Sequence, residues 1–211
     1  MLYKTTRRLF KGTYQYKIVL VCAGTQWFRS GDLEATLENL KKIKLGATVH
    51  PYQLSTAIKT QEDLDFALKL QHTLSKMTDF EVRVESPWIS IYTNNKKSVD
   101  SIVKLDKSKI KYVCIPPDNL PLEANTIIMP KMNYDYRITL GKTSQEYHAF
   151  IEWAEASKKI KLTKSAKKDL LRTRSWGGTY FYITGENNLL LAKMHLSSAI
   201  SKIERIVKQE S

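Results

Sequence analysis

The stretch Phe80-Glu-Val-Arg-Val-Glu-Ser-Pro-Trp-Ile-Ser-Ile-Tyr-Thr93 decides the fold. Apolar and charged residues alternate strictly from Phe80 to Val84, which predicts a strand with one buried and one solvated face. Ser86-Pro87 then predicts a turn, and Trp88 to Thr93 alternates again. We therefore expect two neighbouring antiparallel strands at the centre of the N-terminal half.

Helical periodicity and breaker residues predict further elements on both sides of this hairpin. Asp32 and Thr60 each stand at a predicted helix start. The predicted elements are a strand over 14–22, a helix over 33–42, a short extended piece over 47–52, a helix over 60–76, a short helix over 98–105 and a strand over 110–115.

Four of the six prolines lie between Pro116 and Asn133, which predicts a linker or an ordered loop there. It would separate an N-terminal lobe, residues 1–115, from a C-terminal lobe, residues 134–211. In the C-terminal lobe we expect a strand over 134–140, and a helix that Thr143-Ser-Gln-Glu146 opens as a capping box. A strand over 178–184 and a long amphipathic terminal helix over 187–208 would follow.

This mixed order predicts an α+β protein with a mixed, mainly antiparallel sheet and packed helices. The two lobes would have a split βαβ, or ferredoxin-like, character. No internal sequence repeat is visible.

Charge is the most informative property of the composition. The 211 residues include 34 basic and 21 acidic side chains, a formal net charge of +13, and Lys outnumbers Arg by 26 to 8. Such a surplus favours association with polyanions. The alternative is the solvated surface of a product of an AT-rich genome. Together with the absence of known motifs, the composition is typical of a viral or phage gene product.

The strongest local feature is a basic segment, residues 158–174, with one acid, Asp169. Aromatic residues that could stack on unpaired bases follow it directly. The alternative is a solvated basic helix beside a sheet whose aromatic residues are core. The candidate nucleic-acid-binding residues here are Lys158, Lys159, Lys161, Lys164, Lys167, Lys168, Arg172, Arg174, Trp176, Tyr180 and Tyr182.

Two further groups of candidates lie near the N-terminus. The first is an acid-free basic patch, either an arm along a phosphate track or a charged terminus, formed by Lys4, Arg7, Arg8 and Lys11. The second is Arg29, in a loop that runs from Gly24 to Asp32 between a strand and a helix. This loop lacks the glycine spacing of nucleotide-binding motifs, and Asp32 would repel an anion.

The sequence predicts no catalytic residue, no metal ligand and no cofactor. None of the four histidines has metal-ligand spacing. The densest acidic group, Glu62, Asp63 and Asp65, is explained by the dipole of a helix's first turn. Cys22 and Cys114 stand in apolar runs, which favours buried, reduced thiols. An enzyme with a dispersed site is the least favoured class.

The sequence therefore predicts a non-enzymatic nucleic-acid-binding accessory protein that works inside a larger nucleoprotein complex. The alternative is a structural or assembly subunit of a virion or another multisubunit particle. We expect largely sequence-independent contact with DNA or RNA, together with a protein partner or self-association. The longest apolar run is too short for a membrane helix or a signal-peptide core, so we expect an intracellular location, in cytoplasm, nucleus or virion.

Overall fold

The computed structural model describes residues 2–45, 58–117 and 122–208. They form two compact units, Met1–Pro121 and Leu122–Ser211, and each unit contains one five-stranded mixed sheet with helices packed against it. The predicted α+β class and its two lobes are confirmed. Within the described residues, no helix is long and apolar enough to cross a bilayer.

In its described residues, 2–45 and 58–117, the first unit has eight α-helices and strands in the order ββααββαβ. In its sheet β1 pairs in parallel with β5, and the remaining neighbours are antiparallel, in the spatial order β1-β5-β2-β4-β3. The elements are β1 (Leu2–Thr5), β2 (Tyr16–Val21), α1 (Leu33–Lys44), α2 (Gln61–Ser75), β3 (Phe80–Glu85), β4 (Trp88–Thr93), α3 (Lys96–Leu105) and β5 (Ile110–Ile115).

The second unit also has eight elements, in the order ββαβαβαβ. Here β6 pairs in parallel with β10, the other neighbours are antiparallel, and the spatial order is β6-β10-β7-β9-β8. The elements are β6 (Thr126–Ile128), β7 (Tyr136–Leu140), α4 (His148–Ala156), β8 (Ile160–Leu162), α5 (Lys164–Leu170), β9 (Tyr180–Ile183), α6 (Glu186–Leu196) and β10 (Ile200–Val207).

The two units share one topology, because the five strands of each sheet follow the same order when numbered along their own unit. Without the edge strands β1 and β6, each sheet has the ferredoxin-like order of last, first, third and second strand. The equivalent strands β2 and β7 also resemble each other in sequence, Tyr-Lys-Ile-Val-Leu against Tyr-Arg-Ile-Thr-Leu. The two units differ in their connections, because α5 stands between β8 and β9 whereas β3 and β4 are joined directly.

Each core lies on one face of its sheet. In the first unit Ile18, Leu20, Ile89 and Ile91 are buried among apolar side chains of all three helices. Ile138, Leu140, Phe181 and Ile183 are buried in the same way in the second unit. Because successive strand residues point to opposite faces, the intervening residues lie on the other face of each sheet. No core cluster of the described residues joins that face to a helix, so we call it the helix-free face. Its central residues are nevertheless buried, among them Val19, Ser90 and Tyr92.

The predicted terminal helix over 187–208 is wrong. The helix α6 ends at Leu196, Ser197 has a positive φ of 42°, and Ile200–Val207 form β10. Ile200, Ile203, Ile206 and Val207 are β-branched and favour a strand. In β10 they lie between β6 and β7, a tertiary pairing that outweighs their helical spacing.

Two local predictions in the C-terminal half are also wrong. Thr143 does not cap a helix, because it pairs with Ser175 in an isolated bridge, and α4 begins only at His148. Thr126–Ile128 lies within the segment predicted as a linker or loop, yet it is a strand. The extended piece predicted over 47–52 falls outside the described residues.

Candidate nucleic-acid interface

The helix-free face of the first sheet carries a cluster of lysines and aromatic rings. We name it the cationic face and define it by Lys4, Lys17, Lys111, Trp88, Tyr92 and Tyr112. At its centre, Lys17 pairs across the sheet with Tyr92 on one side and with Cys114 on the other. Its Nζ lies 5.5 Å from the Tyr92 ring centre and 5.9 Å from that of Tyr112.

Two further lysines lie over rings of this face. The Nζ of Lys4, an exposed residue on the edge strand β1, is 4.4 Å from the Tyr112 ring centre. A register irregularity in β5 turns Lys111 outward, because Val19 pairs with Tyr112 while the next residue of β2 pairs with Ile110. The Nζ of Lys111 lies 3.6 Å from the ring centre of Trp88.

The N-terminal basic patch divides between this face and the loop beside it. Residues 2–5 are a strand, so Lys4 belongs to the sheet and not to a free arm. Lys11 lies 4.9 Å from the ring of Tyr92 and forms an ion pair with Glu81. Arg7 and Arg8 are exposed in the connecting loop.

The second sheet repeats the central arrangement with a different charge balance. Arg137 occupies the position of Lys17, and its cross-strand partners are Tyr182 and Glu204. Glu204 is completely buried and accepts hydrogen bonds from Arg137 at 3.4 Å and from Lys202 at 2.7 Å. Because Cys114 takes the place of Glu204 in the first unit, the charge of Lys17 lacks this neutralisation.

The two candidate tyrosines lie on the helix-free face of the second sheet. Tyr182 is buried, and Tyr134 stacks on it with ring centres 5.8 Å apart. Tyr180 is half-buried, and the Arg137 guanidinium lies 4.1 Å from its ring centre. Both rings therefore have protein partners already.

The basic segment does not form one helix, since it runs through the turn before β8, through β8 itself, through α5 and into the following loop. Lys167 forms an ion pair with Glu155, and the guanidinium of Arg172 lies 3.9 Å from Asp169. Within the described ranges five of its lysines are exposed and have no ion-pair partner: Lys158, Lys159, Lys161, Lys164 and Lys168. Of these, Lys161 pairs across the sheet with Tyr182 and shares its face.

The remaining candidates occupy loops. Arg174 and Trp176 are exposed in the loop that enters β9. Arg29 is exposed at the end of a short 3₁₀ turn, Thr25–Phe28, whose Phe28 is buried in the first core.

Sequence reasoning missed five residues of the cationic face: Lys17, Trp88, Tyr92, Lys111 and Tyr112. Their signal was available, since most of them alternate with the core residues of β2, β4 and β5. Reading each strand for its outward residues, and not only for its apolar ones, would have brought Lys17, Tyr92 and Tyr112 together. The irregularity that exposes Lys111 has no local sequence signature.

No metal-binding cluster of three or more His, Cys, Asp or Glu side chains occurs among the described residues. No family model, curated protein or solved structure matches this chain.

Proposed function

We propose that this protein is a non-enzymatic nucleic-acid-binding protein that contacts a single strand through its cationic face and works as an accessory component of a nucleoprotein complex. The observation that supports this most directly is the pairing of Lys4, Lys17 and Lys111 with the rings of Tyr112, Tyr92 and Trp88. Lysine ammonium groups neutralise phosphates, and aromatic rings provide stacking surfaces for bases.

The charge of the two units supports a polyanionic partner. The first unit has 19 basic and 12 acidic residues, a balance of +7, and the second has 15 and 9, a balance of +6. Attraction is therefore a property of both halves. Tyr92 is buried and packs on Phe10 and Tyr14, so the rings that a base could reach are the partly exposed Trp88 and Tyr112. A duplex with its bases stacked inside cannot use them, so a single strand is the preferred form.

Replacing Lys4, Lys17 and Lys111 together by Gln tests the proposal. Fluorescence anisotropy with a labelled strand of about 20 nucleotides should show a salt-dependent dissociation constant for the native protein. Each lost phosphate contact flattens the slope of log K against log salt by about 0.7 for a single strand, so the triple variant should lose about 2.

Lys96, Lys97 and Lys104 form the matched control, because they are exposed on α3 of the same unit and have no ion-pair partner among the described residues. Their replacement by Gln removes the same charge away from the rings. If both triple variants weaken strand binding equally, net charge alone explains the attraction, and the assignment of contact to the cationic face is overturned. Failure of the native protein to bind at about 50 mM salt would overturn the function.

We also propose a second candidate, a subunit of a multisubunit assembly, because three apolar side chains of α6 are exposed. Leu190 is 59% exposed, Leu191 40% and Met194 72%. Exposed apolar groups of this kind are typical of association surfaces. Size-exclusion chromatography with light scattering tests this: an oligomer that Leu190→Gln with Met194→Gln converts to a monomer would favour it, and a monomeric native protein would oppose it.

A further inference from the structure

A cavity of about 360 Å³ in the second unit lies between the segment that follows β7 and the loop that enters β9. Its lining is formed by Lys142, Thr143, Ser144, Arg174, Ser175 and Trp176. This volume lies within the range of about 300–1,000 Å³ that small-molecule sites occupy. This cavity is a different feature from the helix-free faces of the two sheets.

Backbone hydrogen bonds hold the two walls together. The N–H groups of Thr143 and Ser175 each donate to the other's carbonyl at 3.1 Å, and Gly178 donates to Leu140 at 2.8 Å. Gly177 has φ of +75°, and a Cβ there would lie 2.3 Å from the carbonyl of Gly141. Only glycine permits this approach, so the neighbouring Trp176 projects from a fixed backbone.

Trp176 presents its ring to solvent, since 87% of the residue is exposed. Exposure of this large aromatic side chain forgoes the stabilisation that burial would give, and tryptophan is on average a strongly buried residue. The Nζ of Lys142 lies 5.4 Å from the ring centre. A flat aromatic surface beside a cation is the arrangement on which a base can stack.

The two cationic side chains of the cavity have no anionic partner among the described residues, and a phosphate could act as one. Lys142 and Arg174 form no ion pair within the described ranges. The Oγ1 atom of Thr143 is buried and makes no hydrogen bond.

We propose that this cavity binds a nucleotide unit, with the base stacked on Trp176 and the phosphate held by Lys142 and Arg174. An apolar ligand would make no ion pair with either cation, and inorganic phosphate would not stack on the indole. A nucleotide can make both kinds of contact. The unit is either a free mononucleotide or one nucleotide of a strand. This inference adds a site to the proposed function but does not require the cationic face.

Isothermal titration of the 211-residue protein with adenosine monophosphate, adenosine and inorganic phosphate tests the site. The monophosphate should bind more tightly than either fragment of it. Trp176→Ala should weaken its binding by about tenfold or more through lost stacking. Replacing Lys142 and Arg174 together by Gln should reduce monophosphate affinity towards that of adenosine.

Lys193→Gln is the control. Lys193 is exposed on α6, so its replacement removes a positive charge from the same unit without changing the cavity lining. Absence of monophosphate binding, or binding that Trp176→Ala leaves unchanged, overturns the inference. Phosphate that binds as tightly as the monophosphate also overturns it. A 5′-phosphorylated dinucleotide that competes more strongly than the monophosphate assigns the site to a strand, and weaker competition assigns it to a free nucleotide.

The variant with Lys4, Lys17 and Lys111 replaced by Gln separates this inference from the proposed function. It should bind the monophosphate as the native protein does, while its strand binding falls. If the native protein binds strands but no monophosphate, the nucleotide site in the cavity is overturned and the proposed function stands. If it binds the monophosphate but no strand, strand binding by the cationic face is overturned and the nucleotide site stands.

Discussion

At the scale of single residues, one exchange between equivalent positions separates the two sheets. Glu204 neutralises Arg137 in the second unit, whereas Cys114 stands beside Lys17 in the first. A buried carboxylate between two cations neutralises part of their positive charge, so their attraction for an external anion is weaker. A thiol in that place leaves the lysine charge available. The positive potential of the first sheet therefore depends on which side chain faces its central lysine.

The burial of Glu204 predicts a loss of stability on its replacement. Glu204→Gln removes the negative charge that Arg137 and Lys202 share, and it leaves the 16%-exposed Arg137 side chain unneutralised. We expect the free energy of unfolding to fall by about 3 kcal/mol. Urea unfolding followed by circular dichroism measures it. Glu155→Gln, at an exposed pair with Lys167, should cost less than about 1 kcal/mol, and similar costs for both variants would contradict the argument.

The two cysteines should differ in reactivity. Both are free and buried, as the sequence predicted. Burial raises the pKa of the Cys22 thiol to about 12, so this residue should resist thiol reagents until the protein unfolds. Burial also raises the pKa of Cys114, but the nearby positive charges of Lys17 and Lys4 oppose the shift. Cys114 should therefore react first with a disulfide reagent.

A bound strand should slow the labelling of Cys114, because this residue lies between Lys4 and Lys17 on the cationic face. Cys22→Ala and Cys114→Ser variants assign each labelling phase. If Cys114 reacts at the same rate with and without saturating oligonucleotide, the strand does not cover this face.

At the scale of elements, alternation and capping predicted the first unit well. Asp32 and Thr60 each accept a hydrogen bond from the backbone N–H three residues on, as their positions before apolar helical patterns indicated. The second unit was harder, because β8 has only three residues and β10 has a spacing of isoleucines that also fits a helix. Pairing between distant strands decided these cases, and a local pattern does not contain it.

The candidate site was predictable to the same degree. The basic segment and Trp176 were visible as local clusters, whereas the cationic face draws on strands from residue 2 to residue 115. Its charge pattern is spread over separate strands, and only their register brings Lys4, Lys17 and Lys111 onto one surface. The sequence therefore contains the charges of this face but not the register that brings them together.

The basic segment should act as a general electrostatic attractor, since its exposed lysines lie beside few free rings. Replacing Lys158, Lys164 and Lys168 by Gln should weaken binding to single strands and to duplex by similar factors. The triple change on the cationic face should weaken single-strand binding more than duplex binding. Anisotropy titrations of both variants with both forms measure this. A selective loss of single-strand binding from the basic segment would move the stacking site to the second unit.

At the scale of the whole molecule, the two units share the order of their strands but differ in their surfaces. The first has Lys17 beside Cys114 at the centre of its helix-free face, whereas the second has a buried ion pair there and a cavity beside an exposed tryptophan. The proposal of strand binding therefore concerns the first unit, and the proposal of nucleotide binding concerns the second.

Separate expression of residues 1–121 and 122–211 tests that division. Every strand pairing and core cluster of the described residues is contained within one unit, so each fragment should fold cooperatively. Circular dichroism with thermal unfolding checks folding before any binding is measured. Fragment 1–121 should then retain the preference for single strands and lose monophosphate binding. Fragment 122–211 should bind the monophosphate and show only the diffuse, salt-sensitive attraction expected from its positive charge. If both fragments fold but neither binds a strand as the full chain does, the contact surface requires both units and the assignment to the first is wrong.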